Sequence, residues 1–479
     1  MKSSRTGHRW AAMMVAATWM MLAAALAATA QTFTALASFT GQHANPWTET
    51  LVQGSDGNFY GTTIYGGTFN TCSEGCGTVF KVTPAGQVTR LHSFDGTDGS
   101  YPFAGLVQAT DGNFYGTTST GGTIPNCDNG PYGCGTVFKI TPSGVLTTLH
   151  SFDFRDGLAP EAGLVQGSDG SLYGTTYEGG SGNAGTVFKI TLGGTLTTLH
   201  SFDVTDGWYP SAGLVQGTDG YFYGTVSQGG AYGYGTAFKI TSSGTLTILH
   251  NFDDNGIDGA VPTAGLIQAS DGNFYGTTYG GGTDYSGTVF RINSAGTVTI
   301  VHSFVQTDGY EIQAGLLQGT DGNFYGTNLS GGAHDQGTIF TVTPGGQLTT
   351  LYSFCSQNQC SDGGTANAGL MQATDGNFYG TTSYGGAHDG GTVYSLVMGL
   401  GPFVKTVPIT GKVGEAVGIL GTNLTGATSV TFNGTAAVFK VVSSSLISTT
   451  VPAGATTGPV QVVTPSGALT SNVNFRVKP

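Results

Sequence analysis

Apolar residues come in short bursts along most of this chain, each followed by a turn signal. The stretch from Leu164 to Phe202 shows the pattern. Leu164-Val165-Gln166 predicts a first strand, A. Asp169-Gly170 then reverses the chain, the strongest short-range hairpin signal. Leu172 to Thr176 predicts strand B, Thr186 to Ile190 strand C, and Thr195 to Phe202 strand D. Neighbouring residues of a strand point to opposite faces, so Leu172 beside Tyr173 makes both faces of strand B apolar. A sheet of this kind has to be covered on both sides.

The pattern recurs. Asp-Gly-Asn-Phe-Tyr-Gly-Thr, or a near copy, begins at Asp56, Asp111, Asp169, Asp219, Asp271, Asp321 and Asp375. Gly-Thr-Val-Phe-Lys-Ile, or a variant, begins at Gly77, Gly135, Gly185, Gly235, Gly287, Gly337 and Gly391. Four short strands per unit and seven units predict an all-β fold, a seven-bladed β-propeller of four-stranded blades. Strand D ends at Phe94, Phe152, Phe202, Phe252, Phe304 and Phe354, and the seventh unit has none. Its counterpart stands at the other end of the chain, where Thr32 to Phe39 reads Thr-Phe-Thr-Ala-Leu-Ala-Ser-Phe. The N-terminal strand is therefore expected to complete the last blade, which removes open sheet edges.

Near Gly401 the repeat stops. Short β-rich runs between Gly and Asn turns follow, among them Ala416 to Leu420 and Ser429 to Phe432, and predict a small Ig-like β-sandwich over 401–479. The propeller is expected to span 31–400 and a signal peptide 1–30. Lys2, Arg5 and Arg9 form a basic start, Trp10 to Ala28 an apolar run, and Ala28-Thr29-Ala30 a small-residue cleavage site. An uncleaved membrane anchor is the alternative. With the segment removed, no membrane span is expected.

Composition sharpens this. The chain has 479 residues, 82 of them glycine, with 11% aromatic and only 9% charged residues. That suits ordered, turn-rich β structure rather than disorder. The net charge is −13, and signal cleavage removes positive charges only, which argues against a nucleic-acid partner. The six cysteines fall into local pairs, and the clustering favours disulfides Cys72–Cys76, Cys127–Cys134 and Cys355–Cys360. The rival, zinc, lacks a matching ligand spacing.

The A–B and C–D turns keep one length in every unit, as from Leu51 to Tyr60 and from Leu370 to Tyr379. The B–C and D–A loops vary, the longest B–C loops being Ile64 to Cys76 and Ser119 to Cys134. These two loops emerge on one face, which is where function is expected. All the cysteines lie there, in blades 7, 1 and 2. So do Glu49, Glu74, Glu161, Glu178 and Glu311. Trp47, Glu49, Tyr101, Glu161, Trp208, Tyr209 and Tyr310 are the ligand-binding candidates, because aromatics beside carboxylates suit a glycan.

Other features read as structural. The strand B tyrosines are expected in the core. His92, His150, His200, His250 and His302 recur at one position, whereas a catalytic base is usually unique. The strand A glutamines (Gln53, Gln108, Gln166, Gln216, Gln268, Gln318, Gln372) are expected to ring the channel or to join blades. Asp95/Asp98, Asp153/Asp156 and Asp203/Asp206 suit turn chemistry, with Ca²⁺ as the alternative.

Two resemblances add to this. Phe-Tyr-Gly-Thr-Thr, Gly-Thr-Val-Phe-Lys-Ile-Thr and Leu-His-Ser-Phe, over about Gln31 to Val397, resemble the GloVer-type tandem repeat of exported bacterial proteins. Gly414 to Leu424, Ala427 to Thr435 and Val451 to Val460 resemble the IPT/TIG Ig-like domain. The first implies no established activity and the second a spacer or binding module. The expectation is a secreted, extracellular or cell-surface binding protein, with the periplasm as the other compartment. Its expected partner is an extracellular polysaccharide or a surface protein. A polysaccharide hydrolase or lyase using the loop carboxylates is one alternative, and a purely structural surface protein another. An enzyme is ranked behind binding, and no catalytic residue, metal ligand or cofactor is assigned.

Overall fold

The computed structural model describes residues 31–39, 50–69, 71–124, 127, 133–255 and 258–478. The expected signal segment and the candidates Trp47 and Glu49 lie outside the described residues. The described chain is all-β apart from 3-10 turns, such as the one at Asn358–Cys360. Among the described residues no helix is long and apolar enough to cross a membrane.

Seven four-stranded antiparallel sheets follow one another through the repeats. In the third, Val165–Gln166, Leu172–Thr176, Thr186–Ile190 and Leu196–Ser201 are strands A to D in spatial order. The seventh takes Met371–Gln372, Phe378–Thr382 and Thr392–Val397 as strands A to C, and the N-terminal strand Thr32–Ser38 as its fourth. Ser38 pairs with Thr392 as Ser201 pairs with Thr186. The bulge between Val187 and Phe188 has its counterpart between Ala35 and Ala37.

The motif residues explain why each sheet forms. The strand B tyrosine is 0–4% exposed in all seven units, and a buried phenol needs a partner for its O–H. It donates to the aspartate of its own hairpin turn: Tyr60 to Asp56, Tyr115 to Asp111, and so on through Tyr379 to Asp375, at 2.7–2.9 Å. The Asp-Gly pair thus turns the chain and satisfies the core. The following glycine is set by packing, since a Cβ on Gly174 would lie 2.7 Å from the Phe188 ring.

Successive sheets join through three repeated contacts. Tyr60, Tyr173, Tyr223, Tyr275 and Tyr325 each pack on the strand B Phe of the next sheet, and Tyr379 packs on Phe59, with ring centroids 3.8–4.3 Å apart. The strand D Phe meets the strand C ring of the next sheet, as in Phe202 on Phe238 at 5.3 Å, and Phe39 meets Phe80 at 5.0 Å. The third contact uses the glutamines. Gln108, Gln166, Gln216, Gln268, Gln318 and Gln372 each accept a backbone N–H from the preceding sheet through Oε1, and Gln53 accepts one from Thr374, all at 2.8–3.1 Å. Sheet 7 therefore meets sheet 1 through the same three contacts that join most of the others; between sheets 2 and 3, Leu172 stands in place of the strand B Phe beside Tyr115.

After the repeats come two further four-stranded sheets. One contains Ala416–Leu420 and Leu446–Thr450, the other Ser429–Phe432 and Val460–Thr464. Alternate residues point inward, so Val417, Ile419, Ile447, Val430, Phe432, Val460 and Val462 share one core with Phe475. The cysteines are joined as Cys72–Cys76, Cys127–Cys134 and Cys355–Cys360. Such bonds fit an extracellular or periplasmic protein, where thiols are oxidised.

Candidate functional site

The two ends of the repeat structure differ. At the A–B turn end, C-terminal residues reach onto the repeats. Lys478 and Arg476 donate to the carbonyls of Ser168 and Thr218. Ser445 Oγ donates to the Ser55 carbonyl at 2.9 Å, and Thr422 meets Thr374 at 2.9 Å. Lys405 Nζ donates to the Gln372 carbonyl, and burial of its ammonium pushes the pKa down to about 8. A cavity of about 620 Å³ is left between Gln108, Gln166, Gln216 and Gln268 and the segment around Pro408 and Arg476. The constancy of these turns therefore has a structural reason: they carry the glutamine links and receive the C-terminal region.

The B–C and D–A loops form the other end. Tyr101, Ala159, Tyr209, Val261, Glu311 and Thr365 occupy one position in successive D–A loops, and all have φ of 53–63°. A non-glycine residue held there costs about 1–3 kcal/mol and persists only when its surroundings over-determine it. Here two hydrogen bonds do so. The Tyr209 N–H donates to the Ala184 carbonyl of sheet 3 at 3.1 Å, and its C=O accepts the Ser227 N–H of sheet 4 at 3.4 Å. Where the side chain at this position is large, it contacts the preceding sheet. Tyr101 meets Tyr65 edge to face at 5.7 Å, and Glu311 accepts from Tyr279 Oη at 3.1 Å.

At sheets 3 and 4 this arrangement builds a cluster. Tyr209 stacks on Tyr177 with centroids 4.5 Å apart and planes 10° apart. Trp208 continues the stack at 5.1 Å and 8°. Glu178 adjoins Tyr177 and bridges to Leu158 of the preceding D–A loop. Glu161 comes from that same loop. Burial pushes its carboxyl up to about 7, and the charge of Glu178 adds to the effect. The Tyr177 phenol is also raised, by burial first and then by Glu161. All five side chains are half-buried. The result is a flat aromatic surface edged by two carboxyls.

The structure thus brings together Glu161, Trp208 and Tyr209 of the expected candidates. Tyr101 lies apart, against Tyr65, and so does Tyr310, whose Oη donates to Asp335 at 3.1 Å. The grouping lies beside the cysteine-bearing loop of sheet 2, since in the loop that supplies Glu161 the Ala159 N–H donates to the Cys134 carbonyl at 3.0 Å. Tyr177 escaped the sequence reading. Its one signal was an aromatic immediately after strand B, shared with Tyr279, where the other units carry Ile64, Ser119, Ser227, Leu329 or Ser383.

The repeated histidines have structural partners. His92, His150, His200, His250 and His302 place Nε2 2.7–3.2 Å from Asp98, Asp156, Asp206, Asp258 and Asp308. A carboxylate only accepts, so Nε2 carries the proton. Asp98 Oδ1 also accepts the Asp95 N–H at 2.9 Å, so the Asp-rich loops use these carboxylates to shape a turn.

Among solved structures, the chain is similar to the periplasmic gluconolactonase PpgL of Pseudomonas aeruginosa. Identity is 17%, 72% of this chain and 97% of that one are covered, and the TM-score is 0.44. It is similar to a gluconolactonase of Xanthomonas campestris at 14% identity, covering 55% and 78%, with TM-score 0.35. A third is the extracellular domain assigned to a hybrid two-component system of B. thetaiotaomicron, at 11% identity, covering 94% and 58%, with TM-score 0.46. Likeness at this level assigns no reaction to the chain. It does correct the expectation that ranked an enzyme behind binding, because gluconolactonases stand among the similar structures. No curated protein matches the sequence. A family profile described as the Gloeobacter/Verrucomicrobia repeat matches residues 24–127, 124–320 and 306–436, and one described as the IPT/TIG domain matches 402–477. Repeat and domain together mark a surface or interaction protein. The chain belongs to the Gloeobacter/Verrucomicrobia repeat family and carries an IPT/TIG domain at its C-terminal end.

Proposed function

We propose that the chain is an exported carbohydrate-binding protein. In this reading residues 1–30 are a signal peptide, 31–400 a closed seven-bladed β-propeller and 401–479 an Ig-like sandwich. The junction of sheet 7 with sheet 1, which repeats the contacts of the other junctions, supports the closed ring, and the common core of the last two sheets supports the sandwich. The C-terminal domain lies against the A–B turns and leaves the loop face free for a ligand.

One observation carries the binding reading: Trp208, Tyr209 and Tyr177 lie in parallel beside Glu161 and Glu178. Sugar rings offer C–H faces that pack on aromatic planes and hydroxyls that hydrogen-bond to carboxyls. A glycan array probed with the wild-type protein and with Trp208→Ala tests it. The expected result is a set of bound glycans that the variant loses. An array blank for the wild type, or unchanged in the variant, contradicts the reading.

Polysaccharide hydrolysis stands beside binding, favoured by Glu161. A carboxyl pushed up to about 7 beside a second carboxylate has the form a general acid needs near neutral pH. Reducing-sugar release from array-positive polysaccharides, lost in Glu161→Gln while binding persists, supports it. No release by the wild-type protein rules it out.

A further inference from the structure

Inside the ring, where the steps into strand A converge, the loop face holds a second feature. A cavity of about 250 Å³ is lined by residues of sheets 1 and 3 to 7. Its apolar wall includes Leu164, Leu214, Leu266 and Leu316, and its polar side chains include Gln313 and Asn367. The glycine before each leucine allows the close approach. A Cβ on Gly213 would sit 3.2 Å from the Gly163 carbonyl oxygen, and one on Gly265 3.1 Å from that of Gly213.

Asn367 is the anomaly. It is only 8% exposed, and among the described residues neither its amide nitrogen nor its amide oxygen has a hydrogen-bond partner. A buried polar group without a partner costs about 1–3 kcal/mol, and a specific case in a folded protein calls for an explanation. Gln313 and Asn367 stand at the position of Glu161 in their own D–A loops, three residues before the strand A leucine. That position supplies polar groups to the face in several units.

Among the described residues no charged side chain lines the cavity. A charged ligand would lose its hydration there without a counter-ion. Asn367 offers two donor hydrogens and one acceptor oxygen, which matches adjacent hydroxyls that each donate and accept. The leucine wall matches a C–H face. The volume falls below the ~300 Å³ at which pockets for drug-sized ligands begin, so a single ring fits better than a chain. We propose that this cavity binds one neutral sugar residue, with the Asn367 carboxamide bridging two neighbouring hydroxyls. The inference rests on the carbohydrate reading of the loop face but uses different residues from the Trp208 cluster.

The test titrates methyl glycosides of glucose, galactose, mannose and N-acetylglucosamine, up to tens of millimolar, into the wild-type protein, Asn367→Leu, Asn367→Ala and Trp208→Ala. Ligand-observed NMR reads binding, and thermal melting reads the fold. Leucine replaces the unpaired amide with an apolar group of similar size, so melting is expected to stay level or rise. Alanine provides a second variant if leucine disturbs packing. The expected result is that one glycoside binds the wild type and binds both Asn367 variants at least tenfold more weakly. If no glycoside binds the wild type, or if both Asn367 variants bind as the wild type does, the cavity holds only water and the inference fails. Oligosaccharide binding that depends on Trp208 but not on Asn367 overturns this inference and leaves the loop-face reading standing. Glycoside binding that depends on Asn367, with oligosaccharide binding indifferent to Trp208, upholds the cavity and overturns the role of the cluster.

Discussion

Phe39 meets Phe80 edge to face at 5.0 Å, although the first residue directly follows the fourth strand of the last sheet and the second lies in the third strand of the first. The contact repeats Phe202 on Phe238 and its counterparts in the other junctions. Phe39→Ala is therefore expected to cost about 3–5 kcal/mol, as a buried Phe does, and about as much as Phe202→Ala. Urea unfolding of both variants checks this. A silent Phe39→Ala beside a damaging Phe202→Ala would show that the N-terminal strand is an ornament rather than the closing element.

The tyrosine–aspartate link predicts an asymmetry. Asp219→Ala leaves the buried Tyr223 hydroxyl without its acceptor, whereas Tyr223→Phe leaves a partly exposed carboxylate that water can solvate. The first is expected to cost about 1–3 kcal/mol and the second about 0.5–1.5 kcal/mol. Denaturant midpoints of the two variants, measured together, decide it. Equal costs would mean that the phenol is not held by its aspartate.

Glu161 makes stability depend on pH. Its folded-state pKa of about 7 lies above its ordinary value of 4.5, so the unfolded chain releases its proton first as pH rises. The folded state loses stability between about pH 4.5 and 7 on this account, and the loss is complete above 7. The full shift corresponds to up to about 3 kcal/mol. Glu161→Gln should therefore gain on the wild type as pH rises through that window and match it near pH 4. Melting curves of the two proteins at pH 4, 6 and 8 give the comparison. A constant difference across pH would place the carboxyl in water.

Much of the fold was legible because each feature repeats. Thr32 to Phe39 could be placed only because six units carried a strand D and the seventh lacked one. The tyrosines read correctly as core, but their bonds to the turn aspartates did not show. Residues four apart across a hairpin meet only once the turn geometry is known. The glutamines admitted two roles, and the link between neighbouring sheets is the one seen for all seven; four also line the cavity beneath the C-terminal region. The site was less legible. Trp208, Tyr209 and Glu161 stood out as loop exceptions, but Tyr177 looked like the tail of a strand. Its part depends on the left-handed turn at Tyr209, which lays that ring over the preceding sheet. Asn367 gave no signal at all, since an asparagine in a variable loop is ordinary until it is found buried.

The stacked surface carries the functional account, and calorimetric titration tests it most directly. An array-positive oligosaccharide would be titrated into the wild-type protein and into Tyr177→Ala/Tyr209→Ala. Base–aromatic stacking is worth about 1–3 kcal/mol per contact in another class of ligand, and a loss of similar size is expected here. That corresponds to an affinity lower by about fivefold to over a hundredfold, with the ring still folded. Equal affinity in a double variant that melts like the wild type would contradict the account.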